Sequence, residues 1–137
     1  MADYSATPLA RKLGMMDGHA IQFIGAPSGF LDALEPLPDV RVRRRGAPGT
    51  DVIVCFTTTA SDLTRRLRDL PARLAPAGGL WIAWPKRSSP LARDLDFGTV
   101  QEAGLATGLV DNKSCTIDDD WQALRFVRRV ADRGTSA

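Results

Sequence analysis

Few residues in this 137-residue sequence have the chemistry for catalysis, and their positions narrow the options. His19 is the only histidine. It precedes the first apolar run, so we expect it at the surface on the amino edge of a sheet. There it is too far from a carboxyl-side rim to act as the base of a nucleophile–base pair, unless the N-terminal helix folds over that rim. Cys55 and Cys115 lie inside apolar runs without a CxxC partner. They read as buried free thiols, which suits a reducing compartment. Lys113 and Cys115 share parity and hence a sheet face, so a lysine-lowered thiolate is conceivable, with a core cysteine favoured. One histidine and two strand cysteines give no metal-ligand spacing. Asp118, Asp119 and Asp120 could face a hard cation, but turn chemistry explains them adequately. Lys86, Arg87 and Ser88, followed by Ser89, could hold a phosphate or carboxylate through the lysine charge, the hydroxyls and the loop amides. A solvated loop is the equal alternative.

The elements that must position these groups follow from pattern. Thr7 and Pro8 open a short helix closed by Gly14. Residues 20–24 are a β-rich run, and Gly25, Ala26, Pro27, Ser28 and Gly29 form the turn after it. Ser28 is the expected cap of a helix ended by Pro36. Residues 40–43 alternate as a strand with one wet face, extended by Arg44 and Arg45. Residues 51–56 are almost continuously apolar, as in a strand covered on both faces. Thr59 and Asp62 have capping-box spacing before Leu63, Leu67, Leu70 and Leu74, and Pro71 should break that helix. Residues 74–79 read as a turn and 80–84 as a second fully buried strand. Trp81 and Trp84, at odd spacing, belong on opposite faces. Thr99 and Glu102 suggest a further capped helix closed by Gly108. Residues 109–117 and 124–130 are the last strands, joined by a link short enough for antiparallel pairing. A polar tail from 131 is expected to be flexible.

Strand–helix alternation predicts a single α/β domain over residues 1–137, with 1–14 as an N-terminal helical segment. The expected fold is a three-layer, Rossmann-like sheet, mostly parallel, with a C-terminal antiparallel hairpin. It resembles a class I methyltransferase sheet trimmed by one β–α unit after the second strand. Ligands of such sheets bind outside the carboxyl ends of the strands. The candidate crevice therefore comprises Gly25, Ala26, Ser28, Gly29, Thr57, Thr58, Lys86, Arg87, Ser88, Asp118 and Trp121. A net charge of +2 makes a nucleic-acid surface unlikely to be the purpose. No apolar run reaches the roughly 20 residues of a membrane span, and the first residues lack a signal-peptide pattern, so the expected location is cytoplasmic.

Five segments carry a family resemblance: Tyr4-Ser5-x-Thr7-Pro8-Leu9-x-x-Lys12-Leu13-Gly14, Gly25-Ala26-Pro27-x-Gly29-Phe30, Gly79-Leu80-Trp81-x-Ala83-Trp84-Pro85-Lys86, Gly108-Leu109-Val110-Asp111-x-Lys113-x-Cys115 and Ile117-Asp118-x-x-Trp121. Together they resemble a bacterial domain-of-unknown-function family, numbered three thousand and fifty-two. Gln122-Ala123 departs from the Ser-Gly expected after the tryptophan. The resemblance brings no catalytic residues with it. A working S-adenosylmethionine site would resemble Gly-x-Gly-x-Gly after the first strand, with an acid ending the second. Here Pro27, which has no N–H, stands between Gly25 and Gly29, and Arg43, Arg44 and Arg45 follow the second strand. An arginine there can hold the 2′-phosphate of NADP, but protection of a sheet edge is the favoured reading. The sequence thus points to a non-catalytic binding domain for a small anionic ligand or a protein partner, with no cofactor assigned. The alternative is an S-adenosylmethionine-dependent methyltransferase with a divergent cofactor loop. An interaction module using the arginine-bearing edge is the third option.

Overall fold

Two runs with nothing but apolar side chains, 52–56 and 80–84, can be satisfied only at the centre of a sheet covered on both faces. The computed structural model, which describes residues 7–133, places them there. Strands β1 (Ala20–Ile24), β2 (Arg41–Arg43), β3 (Thr50–Phe56), β4 (Leu74–Pro85), β5 (Val110–Thr116) and β6 (Trp121–Val127) form one sheet. Its order is β2-β1-β3-β4-β6-β5. β1 to β4 pair in parallel. β6 runs antiparallel between β4 and β5. The mostly parallel sheet and its antiparallel end are as predicted.

Helices α1 (Leu9–Lys12), α2 (Phe30–Ala33), α3 (Ala60–Leu67), α4 (Leu70–Arg73), α5 (Phe97–Leu105) and α6 (Val130–Arg133) complete the chain. Strand alternation divides the core into two halves. Ile53, Cys55, Leu80, Ile82 and Trp84 pack against Leu63, Leu67, Leu70 and Val100 of α3, α4 and α5. Val52, Val54, Phe56, Trp81 and Ala83 pack against Ala10 and Phe30 of α1 and α2, with Leu13 and Leu34 beside them. The tryptophans do fall on opposite faces. On α3, Leu63 and Leu67 are buried while Arg65 and Arg68 are exposed. Burying each leucine stabilises by about 1.5–3 kcal/mol.

The local signals were less secure than the burial pattern. The helix is broken before Pro71, as expected: α3 ends at Leu67, and Pro71 is the second residue of a new short helix, α4. Thr59 caps α3 by accepting the Asp62 N–H at 3.2 Å, but the Asp62 carboxylate turns to the Thr57 hydroxyl instead of back to the cap. α1 has Pro8 rather than Thr7 at its cap position, without a side-chain bond. α2 starts from Gly29 at φ +87°, so Ser28 is not its cap. Only a residue without Cβ enters a helix comfortably from that left-handed conformation. α5 begins one turn earlier than Thr99 suggested, because Asp96 Oδ1 accepts the Thr99 N–H at 2.8 Å. A carboxylate there also meets the positive end of the helix. Residues 74–79 are not a separate turn but the start of β4. The register with β3 jumps from Thr50↔Leu74 to Val52↔Gly79, so the extra residues bulge outward. At the other terminus, 130–133 form a helical turn, with Arg133 Nε donating to the Arg128 carbonyl at 3.1 Å. Residues 134–137 of the expected tail, and Tyr4 and Ser5 of the first motif, lie outside the described residues.

Candidate ligand-binding rim

β1 has β2 on one side and β3 on the other, so the chain changes direction across it, and the loops after β1 and β3 part company. Gly25 opens the first loop at φ +68° and lies close against β3. A Cβ built on it would sit 2.9 Å from the Phe56 carbonyl oxygen. Ala26, Ser28 and Gly29 are exposed beyond it. Thr57 is buried, donates its N–H to the Ala83 carbonyl at 2.9 Å and its hydroxyl to Asp62 Oδ2 at 2.7 Å. Thr58, half-buried, continues this loop. Lys86 N–H is held by the Asp120 carbonyl at 2.7 Å and Ser89 N–H by the Lys86 carbonyl at 2.9 Å. Those two amides are therefore taken, contrary to the expected loop cradle. Arg87 and Ser88 stay exposed. Asp118 Oδ1 accepts the N–H of Asp120 and of Trp121, at 2.8 and 2.9 Å, which makes the aspartates a turn rather than a cation site. Among the described residues no group of three or more His, Cys, Asp or Glu side chains could hold a metal.

The four loops meet at one end of the sheet, yet the sheet divides them. On the α1–α2 face, Phe23, Phe30, Phe56 and Trp121 stack edge to face, with successive centroids 5.7, 4.8 and 5.0 Å apart. Trp121 is thus a core residue and not an open wall of the crevice. On the α3–α5 face lies a cavity of about 430 Å³ lined by Trp84, Arg87, Arg93, Asp94, Leu95, Asp96, Phe97 and Gln122. Trp84 and Gln122 are cross-strand partners on the β4–β6 ladder. Of the candidate crevice residues named from sequence, only Arg87 lines this cavity. Lys86 and Asp118 do not, and Ala26, Ser28 and Gly29 sit in a separate surface depression beside α2 that Gly25 does not line.

Trp84 is 1% exposed, and its Nε1 has no hydrogen-bond partner among the described residues. An unpaired buried donor costs about 1–3 kcal/mol. Trp81, by contrast, donates Nε1 to the Leu13 carbonyl at 2.9 Å. Arg87 and Arg93 are exposed and form no ion pair among the described residues. The two aspartates of the cavity are committed to helix starts: Asp94 Oδ1 accepts the Ala60 N–H at 2.9 Å, and Asp96 accepts from Thr99. Hydrogen bonds from the Thr99 N–H and hydroxyl hold the Asp96 carboxyl below its usual range, with a smaller pull from Arg87. Each helix start supplies about half a positive charge against its aspartate. The cavity therefore combines two arginine arms, two aspartates bound to helix starts and an apolar wall.

The other reactive groups are muted. Burial pushes the Cys55 thiol up to about 12. Burial also raises Cys115, outweighing the nearby charges of Lys12 and Lys113, so no lysine-lowered thiolate forms. His19 precedes β1 at its amino end, its Nδ1 accepting the Met16 N–H at 3.2 Å. Arg43 turns back to the Pro48 carbonyl at 2.9 Å and the Thr50 hydroxyl at 3.2 Å, away from any nucleotide. β2 is indeed a sheet edge. Burial raises the Asp62 carboxyl, but bonds from Thr57 and Arg65 and the charges of Arg66 and Arg65 outweigh that and leave it lowered. Because its folded value lies below the usual 3.8, its contribution is complete above that value and is lost as pH falls through the lower folded one. Asp62→Asn should cost about 1 kcal/mol at pH 7. In urea denaturation at several pH values, this difference from the parent should shrink below about pH 3.8; a gap that stays constant down to pH 2 contradicts the assignment.

A family model described as "Protein of unknown function (DUF3052)" matches residues 47–130. That is well over half of the chain. The chain belongs to this family. DUF3052 thus covers β3 to β6 and the whole of the cavity. No curated protein matches the chain. Solved structures do match it in fold. The mitomycin 7-O-methyltransferase MmcR aligns with a TM-score of 0.63 at 12% identity, over 84% of this chain and 49% of that one, so the chain spans about half its length. A SAM-dependent methyltransferase from Aquifex aeolicus aligns at 0.58 and 13%, over 85% of each chain. A TehB-like SAM-dependent methyltransferase from Corynebacterium glutamicum aligns at 0.54 and 14%, over 82% of each. At such identities the likeness establishes a class I methyltransferase-like fold and nothing finer. Among the described residues no helix is long and apolar enough to cross a membrane.

Proposed function

We propose that this DUF3052 chain is a non-catalytic binding domain that holds a small anionic ligand in the cavity beside Trp84. One observation carries the reading: Arg87 and Arg93 enter the same cavity at the carboxyl end of β4 with no ion-pair partner among the described residues. A guanidinium is built to grip an oxyanion through paired N–H donors. The second reading, an S-adenosylmethionine-dependent methyltransferase with a divergent loop, is favoured by the fold of the neighbours. The residues present do not fit that cofactor. Pro27 has no N–H to give, its carbonyl is taken by Phe30 N–H at 3.1 Å, and Arg43 at the end of β2 is engaged by its own loop.

Isothermal titration with acetate, benzoate and inorganic phosphate, alongside S-adenosylmethionine and S-adenosylhomocysteine, separates the readings. At least one simple anion should bind, and Arg87→Ala with Arg93→Ala should weaken it by about tenfold or more, since each charge-assisted bond contributes about 1.5–3 kcal/mol. Micromolar binding of either adenosyl compound with every anion silent overturns the proposal in favour of the methyltransferase.

A further inference from the structure

We propose that the ligand of this cavity is an organic carboxylate with a flat apolar body, gripped by Arg87 and Arg93 and accepting a hydrogen bond from the Trp84 indole N–H. This rests on the anion reading above and narrows it. An inorganic anion uses only the cationic arms. Besides the arginines, and Asp94 and Asp96 whose carboxylates hold the starts of α3 and α5, the cavity has an apolar wall: Leu95 is buried there, and the Phe97 ring stands edge-on to Trp84 with centroids 6.1 Å apart. A flat, apolar ligand body matches those two rings, which favour offset or edge-to-face partners. The volume falls within the range of small-molecule pockets, roughly 300–1,000 Å³.

The orphaned donor is the second, independent sign. Buried polar atoms are almost always paired, and the neighbouring Trp81 obeys that rule while Trp84 does not. Trp84 lines the cavity, and in this proposal the ligand supplies the partner that its Nε1 lacks. Its Nε1 is covered, so the proposal requires the side chains over it to move when the carboxylate enters. Phe97, whose ring meets that of Trp84, is 45% exposed. Gln122, across the ladder from Trp84, brings a side-chain amide to the same wall and can donate to the second carboxylate oxygen.

Indole-¹⁵N-labelled protein tests this, with the Trp84 signal assigned from Trp84→Phe. On titration with benzoate, the Trp84 N–H resonance should move downfield while that of Trp81 stays in place. Benzoate should bind at least tenfold more tightly than acetate. Phe97→Ala, a change at an exposed position, should erase that tenfold advantage. If acetate or phosphate binds as tightly as benzoate, or benzoate binds with the Trp84 resonance unmoved, the carboxylate-with-flat-body assignment fails while the anion reading survives. If no anion binds, both fall together.

Discussion

Trp81→Phe is expected to lower the unfolding free energy by about 3 kcal/mol, whereas Trp84→Phe should change it by no more than about 1 kcal/mol. The two residues lie in the same strand, are equally buried, and lose the same part of a ring. What differs is the indole nitrogen. Trp81 Nε1 holds the carbonyl of Leu13, a residue with 0% exposure, so its loss strands a buried acceptor and loosens the end of α1 from the sheet. That adds about 1–3 kcal/mol to the packing loss. Trp84→Phe instead removes a donor that has no partner among the described residues, which offsets the packing loss by a similar amount. For a chain of this size, 3 kcal/mol corresponds to a fall in Tm of roughly 10 °C. Thermal and urea melts of both variants would decide it. Equal losses would mean that Trp84 Nε1 does have a partner, and would remove one support from the ligand assignment.

Gly104→Ala should destabilise by about 1–2 kcal/mol and Gly104→Val by about 3 kcal/mol, although both replace a poor helix former. Gly104 is buried in α5, where that helix crosses β6. A Cβ there meets the Phe126 ring, with Cδ1 at 2.6 Å and Cε1 and Cζ closer still. Phe126 is 0% exposed in a filled core and cannot swing away. Alanine's helix preference over glycine, about 0.8–1.0 kcal/mol, is smaller than the cost of that overlap. Gly98 in the same helix supplies the control: its nearest neighbour to an added Cβ is Asp96 Oδ1 at 3.7 Å, so Gly98→Ala should raise stability by about 0.5–1 kcal/mol. Opposite signs at the two positions, measured by urea denaturation, are the expected outcome. A stabilised Gly104→Ala would show that α5 does not sit against β6 as described.

How much of the site could be read from the residues themselves depends on the distance over which each signal acts. That the candidate loops lie at the carboxyl end of the parallel strands is legible, because strand ends follow from the apolar runs that precede them. Which loops share a wall is not. Arg93, Asp94 and Asp96 lie in a stretch without periodicity, and Phe97 sits just inside a helix whose start was placed one turn too late at Thr99. Asp96, three residues before Thr99, was the available signal, being a stronger cap than the threonine. Gln122 was noted only as a departure from a motif. Its role as the cross-strand partner of Trp84 depends on antiparallel register, which the short 118–120 link permits but does not specify.

By itself the sequence determined the layers. Hydrophobic runs of five residues and the odd spacing of Trp81 and Trp84 are local patterns, and burial enforces them wherever the strands end up. The period of two in β2 is not enforced: at that sheet edge Val42 is exposed and Arg43 half-buried. The sequence also determined that Pro27 cannot donate and that β2 carries charge at an edge. Only the tertiary structure decided that β6 inserts between β4 and β5, that Trp121 fills the core while Trp84 borders a cavity, and that Arg93 joins Arg87 there. Those outcomes depend on which strand pairs with which and in what register, and such long-range choices leave no mark on the spacing of neighbouring residues.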